Sequence, residues 1–465
     1  MKEESSIVQP NRRDFIKTTG TIAAASAFAG MAVPFVHGAE SSEIRVALIG
    51  CGGRGSGAAE DALNAKGAKL KLVAMADVFE DKLKGSYAGL SRSSVKGQVD
   101  VPEDRRFIGF DAYKKAMDCL RPGDIAIFTT PLAFRWVNFT YAIGKKLNVF
   151  MEKPVTSDGP TSRKMLKLGE EATAKNLKVG VGLMSRHHRP MQALHKRVSD
   201  GEIGDIILMR GYRMHGPVGS FASPKKPEGT TELMYQIRRF HSFLWASGGS
   251  YSDFLIHHID HCCWMKNSWP VKVQALGGRH YKNSPEGQPY IDQNFDTYTA
   301  EYVFEDGARF IMDGRCMVGC NDIYSSYAHG TKGSAIIAKN GDFGSPSMLF
   351  KGQNQNRANM IAEFKDVPGE ESPYRNEWNT LVDAIVNDTP YNEVKRGVEA
   401  SVVTSMGRMA AHTGQEITFD DFMNSDHEYA PGVDQFTENS PAPVMPDKNG
   451  KYPQPMPGIV TKREY

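Results

Sequence analysis

Two groups of residues in this 465-residue chain have the types and spacing that redox chemistry needs. The first is the turn Ile49-Gly50-Cys51-Gly52-Gly53-Arg54-Gly55. Glycines at these intervals let a backbone turn tightly and approach a pyrophosphate closely. The second is the segment Ser250–Trp264, which carries Asp253, His257, His258, Asp260 and His261. Asp253 and His257 are four residues apart, so on a helix they share one face. An imidazole there can take a hydroxyl proton, and a carboxylate one turn away can orient the ring. The same segment allows two other readings. It can be a polar helix face with satisfied histidines, or a metal site built from His257, Asp260 and His261. A metal is not expected, because no second ligand cluster accompanies it.

The elements that must hold the glycine turn are legible around it. Glu43–Ile49 is an apolar run ending at the glycines, a helical stretch begins near Gly55, and Leu70–Ala76 is a second apolar run ended by Asp77. Strand, glycine turn, helix, strand and acid in this order define a dinucleotide-binding unit. Gly50 permits the turn, Gly52 admits the pyrophosphate and Gly55 lets helix and strand pack. Cys51, Gly53 and Arg54 complete the turn, whose helix N-terminus offers free N–H groups to phosphate. Asp77 is placed to accept from ribose hydroxyls and would repel a 2′-phosphate, which favours NAD over NADP. Two more short strands end in Thr129-Thr130-Pro131 and Glu152-Lys153-Pro154. Ligands of open α/β sheets lie beyond the carboxyl ends of strands, so Thr130, Pro131, Glu152 and Lys153 are expected on the nicotinamide side. Pro154 fixes the turn, with a cis Lys-Pro bond as one option.

With these marks, and with Asp253 followed by His257, residues 44–415 resemble the Gfo/Idh/MocA family of oxidoreductases. The resemblance implies a Rossmann domain, a second α/β domain with an open, mostly antiparallel sheet that often forms an oligomer face, and action on sugars or polyols. It implies that Lys153, Asp253 and His257 form the catalytic trio, with Lys153 bonding and stabilising the reacting oxygen. One departure stands out. A histidine often follows the Thr-Pro strand end, and here that place falls at Arg135.

The fold expected is therefore α/β. Residues 44–155 form the NAD-binding Rossmann domain and 156–424 a substrate and oligomerisation domain, whose last helices pack back on the first. In the second domain, long apolar-alternating runs joined at turns such as Asp306-Gly307 imply antiparallel hairpins. Residues 425–465 are rich in Pro, Asn and Asp without periodicity and read as an extended tail. Arg186, Tyr235 and Arg238 suit a sugar as a group, through N–H donors and a flat ring, and His257 would touch the same substrate.

The chain begins with Arg12-Arg13, then an apolar stretch from Thr18 to Val36 and small residues near Gly38-Ala39. This is the layout of a secretory signal over residues 1–39, of twin-arginine type, which implies the twin-arginine export machinery as a partner and a periplasmic or exported location. The stretch is rich in Gly, Ala, Ser and Thr, so no membrane anchor is expected. A formal charge of +2 gives no reason to expect nucleic acid. Six cysteines are few for an exported chain and imply no disulfide framework, though Cys316 and Cys320 could pair.

Outside the cytoplasm there is no free NAD pool, so an exported member needs a tightly bound cofactor carried inside the folded protein. The leading expectation is an oxidoreductase moving hydride between that NAD and a carbohydrate. An alternative is a glycoside hydrolase or lyase working by transient oxidation at C3 and elimination. A third is a non-catalytic sugar-binding protein. A homo-oligomer, dimer or tetramer, is expected from the resemblance.

Overall fold

The structure, a computed structural model, describes residues 43–219, 223–280 and 291–465. The expected export segment lies outside the described residues. Six strands form the first sheet: β1 (Glu43–Ile49), β2 (Lys69–Asp77), β3 (Arg106–Ile108), β4 (Ile125–Phe128), β5 (Asn148–Met151) and β6 (Val179–Val181). They are all parallel, in the order β3-β2-β1-β4-β5-β6. β4 reads Ile-Ala-Ile-Phe and β5 Asn-Val-Phe-Met, and every residue in both is buried. Such unbroken runs are what a parallel sheet covered on both faces requires. The winding reverses between β1 and β4, and a crevice opens there beyond the strand ends.

The second sheet has nine strands: β7 (Ile206–His215), β8 (Lys272–Gly278), β9 (Thr297–Val303), β10 (Arg309–Cys316), β11 (Ile323–Gly330), β12 (Gly333–Ala338), β13 (Ser347–Lys351), β14 (Met360–Phe364) and β15 (Ile417–Thr418). Their order is β14-β13-β12-β11-β7-β10-β9-β8-β15. β10 runs parallel to β7, and the other pairings among the described residues are antiparallel. The expected hairpin at Asp306-Gly307 joins β9 to β10, with Gly307 at φ +85°. In β9, Tyr298, Ala300 and Tyr302 are buried, while the residues between them face outward. One face of this sheet is thus packed and the other open.

Two helices close the packed side. Gly249–Lys266 lies against β7 and β10, and Val394–Thr413 against β8 and β9. The second is buried almost all round because it also contacts the helix Gly159–Ala174, which leads into β6, so the parallel-sheet domain runs past the boundary expected at residue 155. Between them in sequence, the helix Pro373–Val386 returns to the first domain, where Trp378 stacks on Phe150 with ring centres 4.4 Å apart. β13 and β14 were not anticipated, since both are short and β14 is a weakly buried edge.

The segment after Asn424 corrects the expected extended tail. It has little regular structure, but Val433, Val444 and Tyr452 are buried and Glu464 is wholly so. Its apolar residues recur at no helix or strand period, so sequence pattern could not show that they pack. All six cysteines are free. Cys316 is buried and Cys320 exposed, and the pairing considered for them is not made.

Candidate active site

The glycine turn follows β1 directly. Gly50 has φ +96°, and a Cβ there would stand 2.7 Å from the Thr129 carbonyl carbon. A Cβ on Gly55 would stand 2.1 Å from the Gly50 oxygen. These two positions therefore need glycine for close packing. At Gly52 and Gly53 a Cβ would meet nothing within 4 Å. The space over the turn is open, and no side chain caps the first turn of the helix Gly53–Leu63. Free N–H groups facing open space are what a pyrophosphate needs, so these residues fit a dinucleotide.

Asp77, at the end of β2, accepts from the Cys51 N–H at 2.6 Å and the Phe79 N–H at 2.8 Å. Burial raises its pKa, and those N–H groups oppose the rise. Cys51 contributes backbone only, because its thiol is buried against the Ala76 carbonyl. A cleft of about 420 Å³ runs from the turn past Asp77 and Phe79 to Thr130 and Pro131. Arg54 turns away from it toward β5, with Nε 3.1 Å from Glu152 Oε1 and the guanidinium 4.8 Å above the Tyr374 ring.

The Lys153-Pro154 bond is cis, the option left open above. Lys153 lies at the end of β5 and donates from Nζ to the Asp253 carbonyl oxygen at 2.5 Å and to Asp253 Oδ1 at 3.3 Å. Asp253 and His257 come from the helix Gly249–Lys266, which starts at two positive-φ glycines, Gly248 (+72°) and Gly249 (+76°). The expected trio is therefore brought together across the two domains.

Its internal wiring differs from expectation. Among the described residues no hydrogen bond joins Asp253 to His257. Asp253 Oδ2 instead lies 3.3 Å from Nε2 of His241, which lines the cleft. Burial alone would raise the Asp253 pKa, but Lys153 and His241 outweigh it and hold the carboxyl well below the usual range. Burial pushes the His257 pKa down to about 3, against a partial opposing pull from Asp342, so the ring is neutral. His257 Nδ1 is buried without a partner. Beyond it, Arg213 Nη1 lies 3.0 Å from Asp342 Oδ1 and also donates to the Phe254 carbonyl.

His241, Asp342 and Arg213 were not singled out from sequence. Asp342 and Arg213 reach the site only through the fold of the second sheet. A signal for His241 existed in the aromatic-rich segment before the helix Gly249–Lys266, but nothing in its spacing marked it.

The proposed substrate group does not assemble. Arg186 forms a two-pronged ion pair with Asp260, Nη2–Oδ1 2.7 Å, beside Trp264 and Trp269. That pair, and the bond between His261 Nε2 and Ser326, also engage two of the three residues considered for a metal, Asp260 and His261. Tyr235 is buried, with its hydroxyl donating to the Pro224 carbonyl. Arg238 does reach the cleft, but at the adenosine end, where it grips Asp81 at 2.9 Å and covers the Phe79 ring. Arg135 is fully buried and braces the strand end by donating to the Phe128 and Thr130 carbonyls. Burial lowers its pKa to about 10. It therefore does not replace the missing histidine as a pocket group.

A parallel switch-point sheet, an open mixed sheet and a dinucleotide cleft between them define the two-domain fold of Rossmann dehydrogenases. Within it, residues 191–336 match the family model of the GFO/IDH/MocA C-terminal domain. The chain is 24% identical over 163 residues to inositol 2-dehydrogenase of Leifsonia xyli subsp. xyli, a match covering 35% of this chain and 41% of that protein. The matched region is thus under half the length of this relative. The fold is similar to myo-inositol 2-dehydrogenase from Lactobacillus plantarum, with a TM-score of 0.58 and 22% identity over 81% of this chain and 99% of that one. It is also similar to levoglucosan dehydrogenase in complex with NADH and levoglucosan, with a TM-score of 0.61 and 17% identity over 81% and 99%.

Proposed function

We propose that this chain is an exported oxidoreductase that moves hydride between a tightly held NAD and a sugar or polyol. The observation that carries the reading is the Lys153 ammonium fixed on Asp253, beside neutral His257, with Asp253 joined through His241 to a cleft shaped for a dinucleotide. The names of the similar proteins, inositol and levoglucosan dehydrogenases, support the substrate class. Asp77, already held by two backbone donors and still lining the cleft, supports NAD over NADP.

When bound, nicotinamide supplies a ring carbon that accepts or returns hydride. The chain supplies the proton chemistry. Lys153 uses two of its three donors on Asp253, which leaves one for the reacting oxygen. There it stabilises negative charge as it develops. His257 enters neutral, the form a general base needs. A base with a pKa of about 3 is weak, but an alcohol losing hydride becomes a protonated carbonyl, a strong acid, so a weak base suffices. Asp253 stays charged throughout, holding Lys153 in its donor state and in place.

Export supports the tight hold, since no cofactor pool exists outside the cytoplasm to replace a lost one. Each oxidation is then matched by a reduction in the same site. Mixing NAD-loaded protein with a panel of inositols, aldoses and anhydrosugars tests this. Near-ultraviolet absorbance of reduced nicotinamide should appear with at least one of them and vanish when a carbonyl sugar follows. Silence across the panel, with aryl-glycoside cleavage instead, would overturn it in favour of hydrolase chemistry.

A further inference from the structure

The C-terminal segment leaves the helix Phe419–Asn424 and passes the cofactor cleft before turning back into the second domain. At Tyr429 its N–H donates to Asp158 Oδ2 at 3.1 Å. Gly432, at φ +71°, turns the chain, and Val433, Asp434 and Phe436 then line the cleft opposite Asp77 and Phe79. Phe436 sits edge-on to Phe134 of the first domain and to Trp245 of the second, at 6.5 and 6.4 Å. The segment continues through Val444, whose carbonyl accepts from Gln236, and Tyr452, whose hydroxyl donates to Glu232 at 2.7 Å.

It ends its course at Glu464, which is wholly buried. Both Glu464 oxygens face buried Arg408, with Nε–Oε1 and Nη2–Oε2 each at 2.9 Å, and His412 Nδ1 lies 2.7 Å from Oε1. The Tyr429 hydroxyl donates to the same carboxylate. Tyr429 and Glu464 therefore tie the two ends of the segment together, and the stretch between them forms one wall of the cleft.

We propose that residues 429–464 are a strap closed at its base by Glu464, and that the adenosine half of a bound dinucleotide can leave only when the strap opens. A buried carboxylate facing a buried guanidinium is a strong base for such a closure, because removing one partner leaves the other charge uncompensated. Phe436 and Val433 add apolar wall to that supplied by Val78, Phe79 and Phe110 of the first domain. The inference rests on the proposed retention of NAD and gives that retention a physical cause.

The test is the dissociation rate of NADH from the full chain, read as loss of nicotinamide fluorescence after a chase with excess NAD. Glu464→Gln opens the base, and Phe436→Ala removes the wall without touching the base. Both should release NADH at least about tenfold faster than the unsubstituted protein, since contacts of this kind act mainly on off-rates. If Glu464→Gln fails to fold by circular dichroism, Phe436→Ala alone decides. Rates within about twofold of the unsubstituted protein in a folded Phe436→Ala variant would overturn the strap, while leaving retention itself standing. A protein that binds no NADH in any form would overturn both.

Discussion

His257 and Asp253 stand one helical turn apart yet serve different partners. Asp253 is committed to Lys153 and His241, while His257 is a buried neutral ring whose Nδ1 has no partner. Replacing Lys153 by Ala should remove a charge-stabilising donor and cut turnover by about 10²–10³. His257→Ala should cost about 10²–10⁴. Neither residue lines the part of the cleft that fits pyrophosphate and adenosine, so NAD should stay bound in both, as native mass would show. Unchanged turnover in both variants would remove the mechanism. Spacing and resemblance made this trio legible, because Asp253 and His257 share one helix and Lys153 ends one strand. His241 and Asp342 were not legible, since each approaches through tertiary structure. The substrate group failed for a related reason: Arg186 and Tyr235 had suitable chemistry, but the fold satisfies it internally with Asp260 and Pro224.

The helix Gly249–Lys266 carries the second-domain part of the site, and its start is sterically exact. A Cβ on Gly249 would stand 2.6 Å from Asn294 Oδ1 and 2.7 Å from Leu244 Cδ2 in a positive-φ backbone. Gly249→Ala should therefore destabilise the protein by about 1–3 kcal/mol, measurable by denaturant unfolding. An unchanged midpoint would show that the helix start relaxes freely.

The same helix also sets a pH response. Burial lowers the pKa values of His257 to about 3, of His261 to about 4, and of His258 well below its ordinary value. Unfolded histidines bind protons near pH 6.5 while these stay neutral, so acid favours the unfolded state. Stability should fall below about pH 6.5, by about 1 kcal/mol per buried histidine over the first pH unit, opposed in part by the buried carboxyls of Asp292, raised to about 7, and Glu377, raised well above its usual value. Thermal melts at pH 7.5 and 5.5, values taken about one unit either side of that point, read this directly. A melting temperature that holds or rises on acidification would contradict the buried, neutral state. Polar residues made this segment look like a site in the sequence. That it is also a core helix, buried on every side, depends on the sheet and the helix Val394–Thr413 around it.

At the scale of the whole molecule, two sheets and a returning helix create a cleft that neither domain makes alone. Four strands of the parallel sheet were legible, since buried runs and glycine punctuation are local signals; β3, only three residues long, was not, and β6 fell in the stretch assigned to the second domain. The cleft's outer wall was not, because the segment after Asn424 packs by scattered single side chains. That wall bears on the central proposal, that the chain captures NAD while folding and keeps it through export and turnover. Native mass spectrometry of the secreted protein, purified without added nucleotide, tests it most directly. Each subunit should carry one dinucleotide mass in addition to its own polypeptide. Subunits that arrive empty, and stay empty after incubation with NAD, would contradict the account.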